Sequence, residues 1–278
     1  MEGALAPYER RAIRDLPWAG AMDTAVLTGV EGHSPAVFLD YDGTLTPIVT
    51  RPELARLSSG ARHTVARLAR RWPVAILSGR DLDDIRSMVG IEGITYAGSH
   101  GFDIATADGL RRQLGTDFLP SLDAAERELR LSLSVAPVPG AWVERKRFAV
   151  ALHYRQVDQA LVPEVEQRVV EVAERHSDLR QTGGKRVFEL RPAIDWDKGK
   201  ALIYSLELLG LDGPDVVPVH IGDDETDEDA FEAVRGRGFG IIVAPPGERR
   251  ATAAGYRLGD PEEVRSFLDR LASIDLHA

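Results

Sequence analysis

Asp40 and Asp42 stand two residues apart at the end of the apolar run Val37-Phe38-Leu39, and the turn residues Gly43-Thr44 follow at once. A buried strand that delivers carboxylates at its C-terminal end puts them where open parallel α/β sheets bind ligands, in the crevice outside the strand ends. Both aspartates are therefore candidates for work on a phosphate. Asp-x-Asp-Gly is also an ordinary polar turn after a strand, so the chemistry depends on partners elsewhere in the chain.

Three partners occupy comparable positions. Pro73 to Leu77 is a second apolar run that ends in Ser78-Gly79-Arg80, ahead of a helical pattern with Leu82, Ile85 and Val89. A hydroxyl beside a helix N-terminus can hold a phosphoryl oxygen. Asp197-Lys198-Gly199-Lys200 precedes Leu202, Leu206 and Leu209 at helical spacing. Gly222-Asp223-Asp224-Glu225-Thr226-Asp227-Glu228-Asp229 follows the apolar stretch Val216 to Ile221. So many acids beside a strand end raise each other's pKa unless a cation or solvent relieves them. Taken singly, the three read equally well as a generic Ser-Gly loop, a solvated helix start and an exposed acidic helix start.

The elements that must position these residues follow from periodicity. Leu54, Leu57, Ala61, Val65 and Leu68 mark an amphipathic helix between the first two strands, so the chain opens β-α-β and implies a parallel sheet. Ile94 to Gly98 leads to Ser99-His100-Gly101, and a short hairpin is expected around Ala107-Asp108-Gly109. From about Thr116 the pattern changes: Leu119 to Leu133 and Val162 to Ala173 read as helices, Trp142 to Tyr154 and Lys185 to Leu190 as strands. The β-α-β pattern resumes from Asp197, with Gly240 to Val243 as a further strand. This organisation is an α/β core split into residues 1–114 and 193–278 by an inserted α+β lobe, 115–192, expected to cap the strand ends.

Within that lobe, two-residue alternation puts Phe188 and Leu190 toward a core and leaves Lys185 and Glu189 on the other face, with Glu144 and Lys146 likewise sharing one face. Such faces are more often solvated ion-pair surfaces than binding sites.

Composition limits the function classes. The 278 residues exceed the usual single-domain size. The formal charge of −10 argues against nucleic acid, whose backbone needs a clustered basic surface. The absence of cysteine excludes disulfides and zinc-thiolate sites. No run of eighteen apolar residues predicts a membrane span, and Met1 to Asp23 lacks the apolar centre of a signal peptide. The expectation is a cytoplasmic enzyme for which a monomer suffices.

The order of nucleophile strand, serine strand end, lysine and acidic strand end resembles the haloacid dehalogenase-like phosphohydrolases, which implies a Rossmann-like parallel-sheet core. The resemblance is closest to trehalose-6-phosphate phosphatases with an α+β cap. It is carried by Leu39 to Ile48, Leu77-Ser78-Gly79-Arg80, Gly98-Ser99-His100-Gly101, Val143-Glu144-Arg145-Lys146, His153-Tyr154-Arg155, Gly184 to Pro192, Asp197 to Lys200 and Gly222 to Phe231. It departs at Arg145 and at Ile194-Asp195-Trp196, and neither change removes a chemical group.

That resemblance implies Asp40 as nucleophile, Asp42 as general acid and base, and Ser78 and Lys198 as phosphate holders. It implies Mg²⁺ held by Asp40, Asp223 and the Asp42 carbonyl. Arg80, His100 and Gly101 would lie on the core side of the substrate, and Glu144, Lys146, Arg155, Lys185 and Glu189 on the cap side. An aspartate with an unperturbed pKa of about 4 can attack without a base, while Asp42 needs a raised pKa to donate a proton. The implied activity is hydrolysis of trehalose 6-phosphate. Sucrose or mannosyl phosphate esters, and a non-hydrolytic sugar-phosphate-binding regulatory domain, remain as alternatives.

Overall fold

The computed structural model describes residues 10–21, 25–30, 33–49, 51–184 and 186–274. The chain divides into two compact units, Met1–Arg111 with Asp197–Ala278, and Arg112–Trp196. Its principal elements begin with β1 (Ser34–Leu39), α1 (Ser59–Ala69), β2 (Val74–Leu77), α2 (Leu82–Val89), β3 (Thr95–Gly98), β4 (Asp103–Ala105) and β5 (Arg111–Gln113). The second unit contributes α3 (Leu119–Val135), β6 (Trp142–Lys146), β7 (Ala149–His153), α4 (Val162–Arg175), β8 (Leu179–Gly184) and β9 (Val187–Pro192). The chain then adds α5 (Lys198–Leu208), β10 (Val216–Gly222), α6 (Thr226–Val234), β11 (Phe239–Val243), β12 (Tyr256–Leu258) and α7 (Pro261–Leu271).

The larger sheet has eight strands in the order β12-β11-β10-β1-β2-β3-β4-β5, seven of them in the first unit and β5 starting at its last residue, Arg111. It is parallel from β12 to β3, and β4 joins antiparallel to β3. Strands covered on both faces must be apolar throughout, and β1 meets that need. Val37 and Leu39 pack with Leu68, Ile85 and Phe267 from α1, α2 and α7, while Ala36 and Phe38 pack with Leu202 and Ala230 from α5 and α6.

From β1 the chain steps one way to β2 and β3, and later the other way to β10 and β11. The topological switch point therefore lies between β1 and β10, where such sheets form their ligand crevice. The Asp40 N–H donates to the Ile221 carbonyl at 2.9 Å, which ties the end of β1 to the end of β10.

The second unit is a four-stranded antiparallel sheet, β6-β7-β9-β8, with α3 and α4 packed on one face. Val143, Val150, Leu152 and Leu190 point into that packing and meet Leu122, Leu129, Val165 and Val169. Alternation then sends Trp142, Glu144, Lys146, His153 and Glu189 to the opposite face.

Two expectations need correcting. The helix expected from Leu54 starts at Ser59, because the Ser58 hydroxyl caps it by accepting from the Ala61 N–H at 3.1 Å. Leu54 belongs instead to a short 3₁₀ turn, Pro52–Leu54. The strand expected from Lys185 is Val187–Pro192, since Arg186 turns the chain in the left-handed region at φ 67°.

Candidate active site

Asp40 is the first residue beyond β1, and its side chain is buried. Lys198 opens α5, a helix capped by Asp197, whose carboxylate accepts from the Lys200 N–H at 2.8 Å. This start aims the Lys198 ammonium into the crevice, 2.6 Å from Asp40 Oδ1 and 2.5 Å from Asp227 Oδ1. The three side chains lie almost out of water, Lys198 being 2% exposed.

Asp227, in the first turn of α6, collects four donors. Oδ1 accepts from Lys198 and from His220 Nε2 at 2.8 Å, and Oδ2 accepts from the Asp223 and Asp224 N–H groups at 3.1 and 3.0 Å. Four is about the number of lone-pair sites a carboxylate offers. Asp227 thus anchors the acidic loop and Lys198 together. Asp223 comes from the end of β10, and its carbonyl accepts from Arg250 Nη2 at 2.8 Å. Gly43, at φ +94°, lets the loop after Asp42 lie against Asp223: a Cβ there would sit 2.1 Å from the Asp223 carboxylate.

One carboxylate oxygen each from Asp40, Asp223 and Asp227 lies within 4.8 Å of the others. Burial pushes the Asp40 carboxyl well above its ordinary range; Lys198 opposes this, and Asp227 and Asp223 reinforce it. Burial would raise Asp227 too, but Lys198 and His220 hold it below the usual range. Burial works against the Lys198 ammonium, and Asp227 and Asp40 more than offset it. A cation beside Asp40 and Asp223 would favour the charged nucleophile, and an all-oxygen donor set suits a hard ion.

Asp42 has a different partner. Arg80 Nε and Nη2 donate to its two oxygens at 2.7 and 2.8 Å, and Arg80 Nη1 reaches Asp84 at 3.2 Å. Its carboxylate is outside the acidic cluster, and Arg80, expected on the core side of the substrate, grips it with both ends of the guanidinium fork. Ser78 is buried at the end of β2, where its Oγ accepts from the Arg80 N–H at 3.2 Å. His100 joins this corner: its N–H donates to the Ser78 carbonyl at 2.8 Å, its ring lies over Gly79, and its φ of 56° is followed by 87° at the buried Gly101.

The second unit gathers its own polar set on the open face of its sheet. Lys146 Nζ donates to Glu189 Oε1 at 2.6 Å, and Arg191 Nε donates to Glu189 Oε2 at 2.8 Å. Glu189 is only 3% exposed, so it is not part of a solvated face. His153 Nε2 lies 2.7 Å from Glu144 Oε2, and this hydrogen bond holds Glu144 below the usual carboxylate range. Trp142 stacks on His153 with centroids 3.8 Å apart and planes 7° from parallel. Arg155 is exposed in the turn after β7, and Lys185 lies outside the described residues.

The trehalose-phosphatase family profile matches residues 38–262, from β1 through α6 to the start of α7. The chain belongs to the trehalose-phosphatase family. It is 46% identical over 267 residues to the trehalose-phosphate phosphatase of Mycobacterium avium, spanning 94% of this chain and 68% of that protein. Against the trehalose-phosphate phosphatase of Mycobacterium tuberculosis it is 47% identical over 248 residues, 88% of this chain and 63% of that protein. The chain thus spans about two thirds of these relatives' length. The crystal structure of a trehalose-6-phosphate phosphatase related protein superposes with a TM-score of 0.73 at 28% identity, covering 86% of this chain and 97% of that one. The fold is the haloacid dehalogenase-like one, an α/β core with an inserted α+β unit.

Sequence reasoning missed the anchoring position of Asp227, the buried His220, the Arg80 grip on Asp42, and Trp142, His153 and Arg191 beside Glu144 and Glu189. Alternation along β6, β7 and β9 could have found the last three, because it places them on the same face as Glu144. Nothing local marks Asp227 out from the acids around it.

Among the described residues, no helix is long and apolar enough to cross a membrane.

Proposed function

We propose that this family member hydrolyses trehalose 6-phosphate to trehalose and phosphate in a Mg²⁺-dependent reaction, with Asp40 as nucleophile and Asp42 as general acid and base. The observation that carries this reading is Lys198, buried between Asp40 and Asp227 at the switch point. A buried ammonium there offsets the charge of nucleophile and phosphate together. Asp40 and Asp223 would hold Mg²⁺, which supplies Lewis-acid charge neutralisation at the phosphate.

An Asp40 oxygen forms a bond to phosphorus as the bond from phosphorus to the sugar oxygen breaks, and Asp42 gives the departing oxygen its proton. Asp42 then takes a proton from water as that water attacks the aspartyl-phosphate, and the bond to Asp40 breaks to release phosphate. Both Asp42 oxygens are held by Arg80 in this structure, so the acid–base role requires the side chain to turn from the guanidinium toward the phosphate. Ser78 and Lys198 hold phosphoryl oxygens. Glu144, Lys146 and Glu189 offer the donors and acceptors that sugar hydroxyls need, with Trp142 and His153 beside them.

The test is phosphate release, with and without Mg²⁺, from trehalose 6-phosphate, sucrose 6-phosphate, glucose 6-phosphate and mannosyl phosphate esters. A Mg²⁺-dependent preference for trehalose 6-phosphate is expected. Preference for another ester would change the substrate and keep the chemistry, whereas no release from any would remove the hydrolytic reading.

A further inference from the structure

His220 lies in β10, two residues before its end, and is fully buried. Its ring centroid is 5.3 Å from that of Phe231, and Phe38, Val219 and Ile221 nearby are buried apolar residues. An aliphatic side chain would satisfy that packing. The imidazole instead points Nε2 at Asp227 Oδ1, 2.8 Å away, the same oxygen that Lys198 Nζ reaches at 2.5 Å. An ionised carboxylate only accepts, so the hydrogen in this contact is on Nε2.

Asp227 divides its pull among its donors. Oδ2 is taken by the two loop N–H groups, so Lys198 and His220 share Oδ1. Were His220 apolar, Oδ1 would be served by Lys198 alone. The ammonium would be drawn away from Asp40, which it contacts on its other side at 2.6 Å. We propose that His220 is a positioning residue: its Nε2–H shares Asp227 Oδ1 and keeps Lys198 centred between Asp227 and Asp40. This inference rests on the phosphatase reading, in which Lys198 serves the nucleophile and the phosphate. A neutral donor is suited to the task, because a second cation would compete with Lys198 for both carboxylates.

The test uses His220→Leu and His220→Gln in the full chain, with trehalose 6-phosphate and saturating Mg²⁺. Leucine fills the space without a donor, and the glutamine amide nitrogen can reach about where Nε2 stands. His220→Leu should still fold, with a thermal midpoint lowered by several degrees, because a buried carboxylate loses one donor. Its kcat should fall roughly 10- to 100-fold, the size of one hydrogen bond to a charged group. KM should change little, as for an interaction that matters in the transition state. His220→Gln should recover most of the kcat. A folded His220→Leu with parental kcat, or a folded His220→Gln as impaired as leucine, overturns the proposal.

Long-range ¹H–¹⁵N correlation on the unmodified chain gives a readout that no folding defect can blur. The His220 ring should be neutral and protonated at Nε2, and an Nδ1–H ring would overturn the proposal by itself. An unmodified chain that releases no phosphate from any ester would remove the phosphatase reading instead, so the two failures are distinct.

Discussion

Replacing Lys198 by methionine keeps most of the side-chain volume and removes the ammonium that contacts both Asp40 and Asp227. The two carboxylates are then buried side by side with no ammonium between them. Breaking a buried pair in this way costs about 3–5 kcal/mol, a large part of the 5–15 kcal/mol or so that stabilises an ordinary domain. The cost should depend on pH with a definite sign. Asp40 is already pushed above its ordinary pKa by burial, and loss of Lys198 pushes it further.

Between the unfolded pKa near 4 and the raised folded value, the folded chain then binds more protons than the unfolded one. Stability falls as pH rises through that window, by up to about 1.4 kcal/mol per pH unit. Lys198→Met should therefore lose its full about 3–5 kcal/mol near pH 8 and roughly 1–3 kcal/mol less near pH 5. Urea unfolding of both chains at the two pH values, with chelator present throughout, measures this. The double variant Asp40→Asn/Lys198→Met should be less destabilised at pH 8 than Lys198→Met alone. A loss under about 1 kcal/mol at pH 8, or the same loss at both pH values, would refute the charge argument.

Asp40→Asn should abolish phosphate release while its unfolding midpoint stays at or above that of the parent, because the change removes a carboxyl that burial disfavours in its charged form; retained turnover would remove Asp40 as nucleophile. Arg80→Lys exchanges a bidentate fork for a point charge on Asp42, and kcat/KM should fall at least about 10-fold, the size of one charge-assisted hydrogen bond. An unchanged pH–rate profile with unchanged kcat/KM would show that the Arg80–Asp42 pair has no part in turnover. Lys146→Ala removes a cation from Glu189, on which Arg191 remains; KM for the disaccharide phosphate should rise while p-nitrophenyl phosphate is little affected, and equal losses on both would argue against sugar recognition.

The parallel sheet was legible because its cause is local. Val37 to Leu39, Val74 to Leu77 and Val216 to Ile221 are short, mostly apolar runs bounded by turn residues, as doubly covered strands are, and the helical spacing between the first two implies a parallel crossover. The false start at Leu54 has a local cause as well: Ser58 is a stronger helix boundary than the apolar spacing suggested. The inserted unit was legible as a change of pattern. Glu189 was not legible as a buried group, because alternation reports only which face it occupies and not that Lys146 and Arg191 converge on it.

By itself the sequence determined that Asp40, Asp42, Ser78 and Asp223 stand at strand ends, since a strand's exit is written in the residues that form it. It also placed Lys198 at a helix start. Tertiary structure alone decided which of these groups meet. Lys198 and Asp40 are 158 residues apart in the chain and 2.6 Å apart in space. Asp227 is buried, while Glu225, two residues earlier in the same acidic run, is exposed. The reason is that a charge can be buried only where partners converge on it. Here those partners are Lys198 from α5, His220 from β10 and the N–H groups of the loop before α6. The same holds for Asp42, which sequence placed with the acids and the folded chain gave to Arg80, because the loop after β2 brings the guanidinium within reach of both its oxygens.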